Sequence, residues 1–311
     1  MTSVLGAEAV SVAWEPHPEV WLLVASVIGL GLYVARVIAP KIPTTIRGEG
    51  PAISGRQKAW FVLGVVILWV ASDWPLHDVA EQYLYLFHMI QHFLLTLVMP
   101  AVFWLATPKW LARLVVAPGR RGWGVLRRVA HPVVAAIIFN ATVIATHWAV
   151  LVNTSVQVAP VHYLVHLVVV TAAFIMWIPV VGPWDELRLT PPGQCIYLFV
   201  QSIIPTVPGA WLTMAETPIY WVYDHGPRLF GISVIEDQQY AGLFMKIGGG
   251  TWLWILIIAI FFRWALALER VEHRGRIVTL EDGLTYQDVQ EEFERTKPAT
   301  PAEPAEPTVA D

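Results

Sequence analysis

The sequence predicts an all-α integral membrane protein, a bundle of seven transmembrane helices with the N-terminus outside and the C-terminus in the cytoplasm. Three observations predict this fold. Hydrophobic residues make up 56% of the 311 residues and charged residues only 14%, where a typical soluble domain has about 25% charged residues. Seven apolar runs are long enough to cross a hydrocarbon core about 30 Å thick. Basic residues are concentrated in alternate connecting segments.

The apolar runs form one membrane domain, residues 20–268, with short connections between them. A span needs roughly 20 residues of helix, because each residue adds about 1.5 Å. The third and seventh runs are longer and are expected to extend past the bilayer. We place the spans at 20–39, 58–73, 80–106, 132–152, 162–182, 193–215 and 238–268.

The distribution of Lys and Arg sets the predicted orientation. Segments 1–19, 74–79 and 153–161 contain none, and 216–237 contains only Arg228. Basic residues are frequent in the first and third loops and after the last span, which is typical of cytoplasmic segments. The loop 183–192 has one Arg and is uninformative alone. Residues 1–19 are therefore expected to be extracytoplasmic. They lack the basic region of a signal peptide, so we expect no cleaved leader.

Three segments outside the spans differ from the spans in amino-acid composition. The loop 108–132 mixes Trp and Leu with Arg and is expected to form an amphipathic helix on the inner leaflet. Residues 269–297 are charged and are expected to form a cytoplasmic helix. Residues 298–311, rich in Pro, Ala, Glu and Thr, are expected to be disordered because they have little apolar surface to bury.

Five histidines fall in the predicted outer half of the membrane domain. His88 and His92 are four residues apart on the third span and share one helix face, as do His162 and His166 on the fifth, while His147 lies near the outer end of the fourth. Ionisable groups are costly in a bilayer and usually face a bundle interior. A single such histidine is commonly explained by a hydrogen bond between helices. Two pairs and a fifth at matching depth predict a metal site, since neutral imidazole binds copper, zinc and iron.

Further side chains are candidates for an accessory role at this site. Thioether sulfur suits Cu(I), although Met in a membrane helix commonly serves packing. A carboxylate could orient a metal-binding imidazole by accepting a hydrogen bond from its other ring nitrogen. The accessory candidates are Glu81, Asp237, Met99, Met214, Met245 and His77.

Several motifs along the chain together resemble one protein family. They are Pro75-Leu-His77, Tyr85-Leu-Phe-His88-Met-Ile-Gln-His92, Met99-Pro100, Thr107-Pro108, Thr146-His147-Trp148, Pro183-Trp184 and Glu236-Asp-Gln-Gln239. On these motifs residues 20–268 resemble the CtaG family of cytochrome c oxidase assembly factors, the multi-span type associated with caa3-type oxidases. One departure is Lys246, where the family pattern leads us to expect an apolar or aromatic residue.

The resemblance implies a role in maturing a haem-copper oxidase in the plasma membrane, with copper as the hypothesised ligand. The implied partners are an oxidase subunit, an extracytoplasmic copper donor and the lipid bilayer. No enzyme motif stands out, and the net charge of -4 gives no basis for nucleic-acid binding. The single cysteine, Cys195, is expected to serve packing.

Other functions remain open from the sequence. The paired histidines could ligate haem in a b-type membrane cytochrome. Pro205 and Pro208 kink the sixth span and, with the polar Gln201, would suit a copper transporter. Lys246 in the seventh span superficially fits a retinal protein, although Glu81 is the only acidic residue in the third span to act as counter-ion. A structural oxidase subunit is a further alternative.

Overall fold

A computed structural model describes residues 14–225, 228–281 and 286–296 of the chain. The described residues contain helices and turns and no strand, so the all-α class is confirmed. The predicted disordered tail, 298–311, and residues 1–13 of the N-terminal segment lie outside the described residues. The chain divides into two compact units, Met1–Phe261 and Phe262–Asp311.

The α-helices are interrupted more often than the hydropathy pattern suggests. Short π-helical segments occur at Val34–Ile38, Leu94–Val98 and Met245–Gly249. In chain order the α-helices are α1 (Pro18–Tyr33), α2 (Thr44–Arg47), α3 (Gly55–Ser72), α4 (Leu76–Gln82), α5 (Tyr85–Phe93), α6 (Met99–Ala106), α7 (Lys109–Val115), α8 (Trp123–Val129), α9 (Pro132–Thr146), α10 (Ala149–Gln157), α11 (Ala159–Val181), α12 (Pro191–Ile203), α13 (Thr206–Thr213), α14 (Val234–Phe244), α15 (Gly250–Glu281) and α16 (Tyr286–Thr296).

Six stretches of the described chain are long and apolar enough to cross a membrane, which suits a multi-pass membrane protein. The number is seven if α8 and α9, bent by 67° at the break between them, form one span. The six are Pro18–Lys41, Gly55–Gln82, Tyr85–Ala106, Ala159–Val181, Pro191–Thr213 and Val234–Val271.

The fourth span predicted from the sequence, 132–152, differs most from the structure. Helix α9 ends at Thr146, and the extended backbone of Trp148 separates it from α10. The apolar run continues through this break, so hydropathy alone gives no sign of it. The break places His147 at the C-terminal end of α9, where its side chain can reach α5.

The loop 108–132 forms two short helices, α7 and α8, rather than one amphipathic helix. Gly119 and Gly122 adopt positive φ angles of 80° and 91°, which helix residues do not take, and they separate the two helices. Lys109 of α7 pairs with Asp185 at 2.6 Å, and this hydrogen bond holds the pKa of Asp185 below its ordinary value. Such exposed pairs contribute little to stability.

The residues predicted to form a charged helix, 269–297, are helical in the described ranges. They belong to the end of α15, which continues to Glu281, and to α16. The connection 282–285 lies outside the described residues. Their cytoplasmic location stays a prediction.

Helix α11 is central to the first unit and packs against α6, α9 and α10. Its residues Met176 and Trp177 are fully buried. The Trp177 indole donates a hydrogen bond to the carbonyl of Thr96 at 3.0 Å, inside the π-helical segment Leu94–Val98. Trp252 donates to the next carbonyl, Leu97, at 3.2 Å. Two indoles therefore satisfy carbonyls in a segment where the regular helical hydrogen-bond pattern is disturbed.

Helices α13 and α14 approach so closely that their backbones touch at two glycines. A Cβ atom on Gly242 would lie 2.5 Å from the carbonyl oxygen of Gly209, and one on Gly209 would lie 2.9 Å from that of Gly242. Real side chains do not tolerate such distances to backbone. This contact fixes α14, whose other face meets α5.

We predict that Gly242→Ala lowers the free energy of unfolding by about 1–3 kcal/mol, because the added methyl group forces the two backbones apart. Thermal unfolding of the detergent-solubilised protein measures this. Gly29→Ala on α1 is the matched control, since nothing lies within 4 Å of its Cβ position. Equal melting temperatures for both variants would contradict the proposed close contact.

Candidate metal centre

The five histidines predicted as ligands line one small cavity of about 10 Å³. They come from three helices whose ends meet at this point. His88 and His92 lie on α5, His162 and His166 lie on α11, and His147 follows α9. Helices α5 and α11 begin at this end of the bundle and α9 finishes there, so the alternating chain direction brings all five together.

Three of these imidazoles form the tightest group. One ring nitrogen from each of His88, His92 and His166 lies within 4.8 Å of the others. The ring centroids of His92 and His166 are 4.8 Å apart, and those of His88 and His92 are 4.5 Å apart. Metal–nitrogen bonds are about 2.0–2.1 Å long. Small side-chain rotations would therefore let all three nitrogens reach one ion.

Two nitrogens of this group are buried and have no protein partner. Nε2 of His92 and Nε2 of His166 make no hydrogen bond. Buried polar atoms are nearly always paired, so an unpaired one needs an explanation. Two of them facing a cavity of ion size, with a third imidazole beside them, fit a site for a metal ion.

Glu81 is the carboxylate of this centre. Its Oε1 atom lies 3.2 Å from Nδ1 of His88 and 3.3 Å from Nε2 of His162. It also forms a second group of possible ligands with His162 and His166. Glu81 therefore links α4 to both histidine-bearing helices, and the two ligand groups share His166.

His147 lines the same cavity from the end of α9. Its Nδ1 atom is 2.7 Å from the carbonyl oxygen of Val143, so Nδ1 carries the proton and donates. Its Nε2 atom is 3.4 Å from the sulfur of Met89. His147 and Met89 thus present an imidazole nitrogen and a thioether side by side.

Asp237 does not touch an imidazole. Its carboxylate accepts hydrogen bonds from the backbone N–H groups of Tyr85, at 2.7 Å, and Leu86, at 3.0 Å. These are two of the N–H groups that a helix leaves unpaired at its start. Asp237 therefore caps α5 from α14 and fixes the helix that carries His88 and His92.

The three accessory methionines lie in different places. Met245 lines a cavity of about 80 Å³ that also includes Met89, His92 and His147. Met99 is buried against Val65 and Leu95 and does not line the small cavity of the five histidines, although it shares a larger cavity with His162 and His166. Met214 is 80% exposed and does not reach the centre.

His77 lies beside the centre rather than in it. Its ring centroid is 6.3 Å from that of His162, and Nε2 of Gln91 lies 3.1 Å from its Nδ1 atom. His77, His162 and His166 also line a largely apolar cavity of about 530 Å³ between α1, α3 and α11. Lys246 is exposed at the start of the last π-helical segment.

Gln91 is a neighbour that sequence reasoning left out of the site, whereas the sequence already places Met89 in a span that could border it. Met89 directly follows His88 and lies three residues before His92, a spacing that places it on the flank of the same helix. That spacing was a usable signal. The role of Gln91 depends on the position of α4 and has no local sequence signature.

The family model described as cytochrome c oxidase caa3 assembly factor (Caa3_CtaG) matches residues 31–267. The resemblance found in the sequence motifs is therefore confirmed. Searches of curated proteins and of solved structures returned no match.

We predict that Asp237→Ala lowers the free energy of unfolding by about 2–4 kcal/mol, since it leaves two buried N–H groups without acceptors. Asp237→Asn keeps one acceptor oxygen and is expected to cost less. Thermal unfolding in detergent ranks the two variants. If Asn and Ala are equally damaging, or if neither lowers the melting temperature, the capping role is refuted.

Proposed function

Because the chain belongs to the cytochrome c oxidase caa3 assembly factor family, we propose that its histidine centre binds copper and delivers it to a haem-copper oxidase during assembly. The observation that carries this proposal is the convergence of five imidazoles on one cavity, with two unpaired buried nitrogens among them. Copper is the cargo in this proposal and not a permanent cofactor.

The donor set fits copper better than a hard cation. Imidazole nitrogens suit copper and zinc, and thioether sulfur favours Cu(I). The centre offers three close imidazoles, a fourth on His147 and the sulfur of Met89 beside it. For an ion already bound by nitrogen, the adjacent thioether favours the cuprous state.

A carrier must also release its metal, and the overlap of the two ligand groups supports this. His166 belongs both to the group with His88 and His92 and to the group with Glu81 and His162. An ion could exchange between the groups while His166 stays bound. The larger cavity reaches His162 and His166 from the side of α1 and α11, which would give a partner in the membrane access to the second group.

The orientation completes the proposal. Basic residues are frequent in loops at the opposite end of the bundle, which supports a cytoplasmic location for that end by the positive-inside rule. The histidine end would then face the extracytoplasmic side of the plasma membrane, where a copper donor could load it and an oxidase subunit could receive the ion.

A haem function is less well supported. Axial imidazoles of a haem lie on opposite faces of the macrocycle. The candidate rings are 4.8 Å apart between α5 and α11, and the cavity between them measures about 10 Å³. A cavity of this volume leaves no room for a porphyrin between these rings.

We expect the wild-type protein, purified in detergent and loaded with Cu(I), to bind copper near stoichiometrically. We predict that His88→Ala with His92→Ala abolishes this binding, because two of the three closest nitrogens are lost. Metal content by mass spectrometry and a Cu(I) competition titration measure the effect. His131→Ala is the matched control, since His131 is exposed at the start of α9.

The melting temperature of each variant tests whether it remains folded. Undiminished copper binding by the folded double variant would refute the proposed site. A strong Soret band in the purified protein would instead favour the b-type cytochrome. Copper uptake into sealed vesicles would favour a transporter over a one-sided carrier.

We predict that Glu81→Gln weakens Cu(I) affinity by about 10–100-fold, the usual effect of removing a carboxylate that orients ligating imidazoles. The amide keeps the shape of the side chain and removes its charge. The same competition titration measures the change, with Glu216→Gln as the control, since Glu216 is exposed after α13. A variant affinity equal to wild type would show that Glu81 does not act on the centre.

A further inference from the structure

A third group of possible ligands lies outside the centre already described. It consists of His17, immediately before α1, and of His77 and Asp78, on α4. One ligand atom from each of the three lies within 4.8 Å of the others. This outer triad shares no residue with the five-histidine cavity or with Glu81.

Asp78 is the residue that points to a cation. It is 2% exposed, and while its Oδ1 atom lies 2.7 Å from Nε2 of His17, its Oδ2 atom is buried without a hydrogen-bond partner. A buried carboxylate is costly unless it is paired and hydrogen-bonded. One histidine satisfies only one of its two oxygens.

The two imidazoles are placed to complete a binding site around this carboxylate. The His17 and His77 rings meet edge to face with centroids 4.8 Å apart. Gln91 contacts His77 Nδ1 at 3.1 Å, and Glu19 lies 3.4 Å from His17 Nδ1. Each ring therefore has a polar contact at Nδ1, and for His17 the remaining nitrogen, Nε2, is the one that faces Asp78.

We propose that the outer triad of His17, His77 and Asp78 is a second metal site that binds a divalent transition-metal ion, Zn²⁺ or Cu²⁺. Two imidazoles and one carboxylate form a common zinc ligand set, and a carboxylate suits a harder ion than a thioether does. The inner centre, with its imidazoles and Met89, has no carboxylate in its tightest group. The two sites therefore differ in the ions they prefer.

This arrangement also predicts that the bound ion stabilises the folded protein. His17 precedes α1, and His77 and Asp78 belong to α4, so the ion would tie the first helix to the fourth. An ion that binds only the folded protein raises the melting temperature. Occupancy of the outer triad is thus detectable without any assay of oxidase assembly.

The test is a Zn²⁺ titration of the full chain in detergent, carried out in the His88→Ala, His92→Ala, His166→Ala background. His166 belongs to both ligand groups of the inner centre, so neither group keeps its three ligands in this background. We expect one equivalent to bind and to raise the melting temperature by at least about 3 °C at saturating Zn²⁺. Asp78→Asn and, separately, His77→Gln should weaken Zn²⁺ binding by more than about 100-fold and remove the thermal shift.

Asp73→Asn is the matched control. Asp73 is a buried carboxylate in the adjacent turn, but its oxygens already accept hydrogen bonds from Trp21, Trp69 and the backbone of Trp74. It should retain Zn²⁺ binding. His77→Gln leaves the contact between His17 and Asp78 intact. It therefore tests whether the outer triad binds Zn²⁺ if Asp78→Asn does not fold.

Zn²⁺ binding that is unchanged in both triad variants would overturn the proposal. So would the absence of any Zn²⁺ binding in the background variant. Neither result bears on Cu(I) binding by the wild-type protein, which tests the inner centre separately.

Discussion

The two hydrogen bonds from the start of α5 to Asp237 are the interaction on which the histidine centre depends. They join residues 152 and 151 positions apart in the sequence by using N–H groups that any helix leaves unpaired. An apolar bundle provides few other donors, so the position of α5 is set by where α14 places this carboxylate. The contact of Gly209 with Gly242 in turn fixes α14. The position of the imidazoles on α5 therefore depends on α13 and α14, which carry no histidine of the centre.

The sequence predicted the features that depend on a pattern repeated along one helix. Apolar runs predicted the all-helical class, and the spacing of four residues placed each histidine pair on one face. The convergence of these faces could not be predicted, because hydropathy contains no information on which helices are neighbours. Met99 shows a second limit: helical periodicity put it on the face of His92, but it is buried against Val65 and Leu95 and does not line the small cavity of the five histidines. The contact of His17 with Asp78 spans 61 residues and has no local signature.

The inner centre and the outer triad differ in the ligands that they offer. One is rich in imidazole and has a sulfur at its edge, and the other includes a carboxylate with an unpaired oxygen. Glu81 and His162 belong to the inner centre, and the ring of His162 lies 6.3 Å from that of His77 in the outer triad. The polar side chains thus form a continuous series through an otherwise apolar region, in which each member is held by a neighbour on another helix.

The π-helical segment Leu94–Val98 has a consequence for how this region tolerates changes in length. A π turn contains about one residue more than the α turn it replaces, and one residue corresponds to roughly 100° of rotation about the helix axis. In a regular helix an added residue would rotate all of α6 by that angle relative to His88 and His92, but the wider π turn absorbs it. Deleting a single residue here would therefore restore regular pitch with little rotation of α6. The indoles of Trp177 and Trp252 would then lose the carbonyls they occupy. The inserted residue thus frees two backbone carbonyls for indoles on neighbouring helices, while α6 keeps its packing against α3.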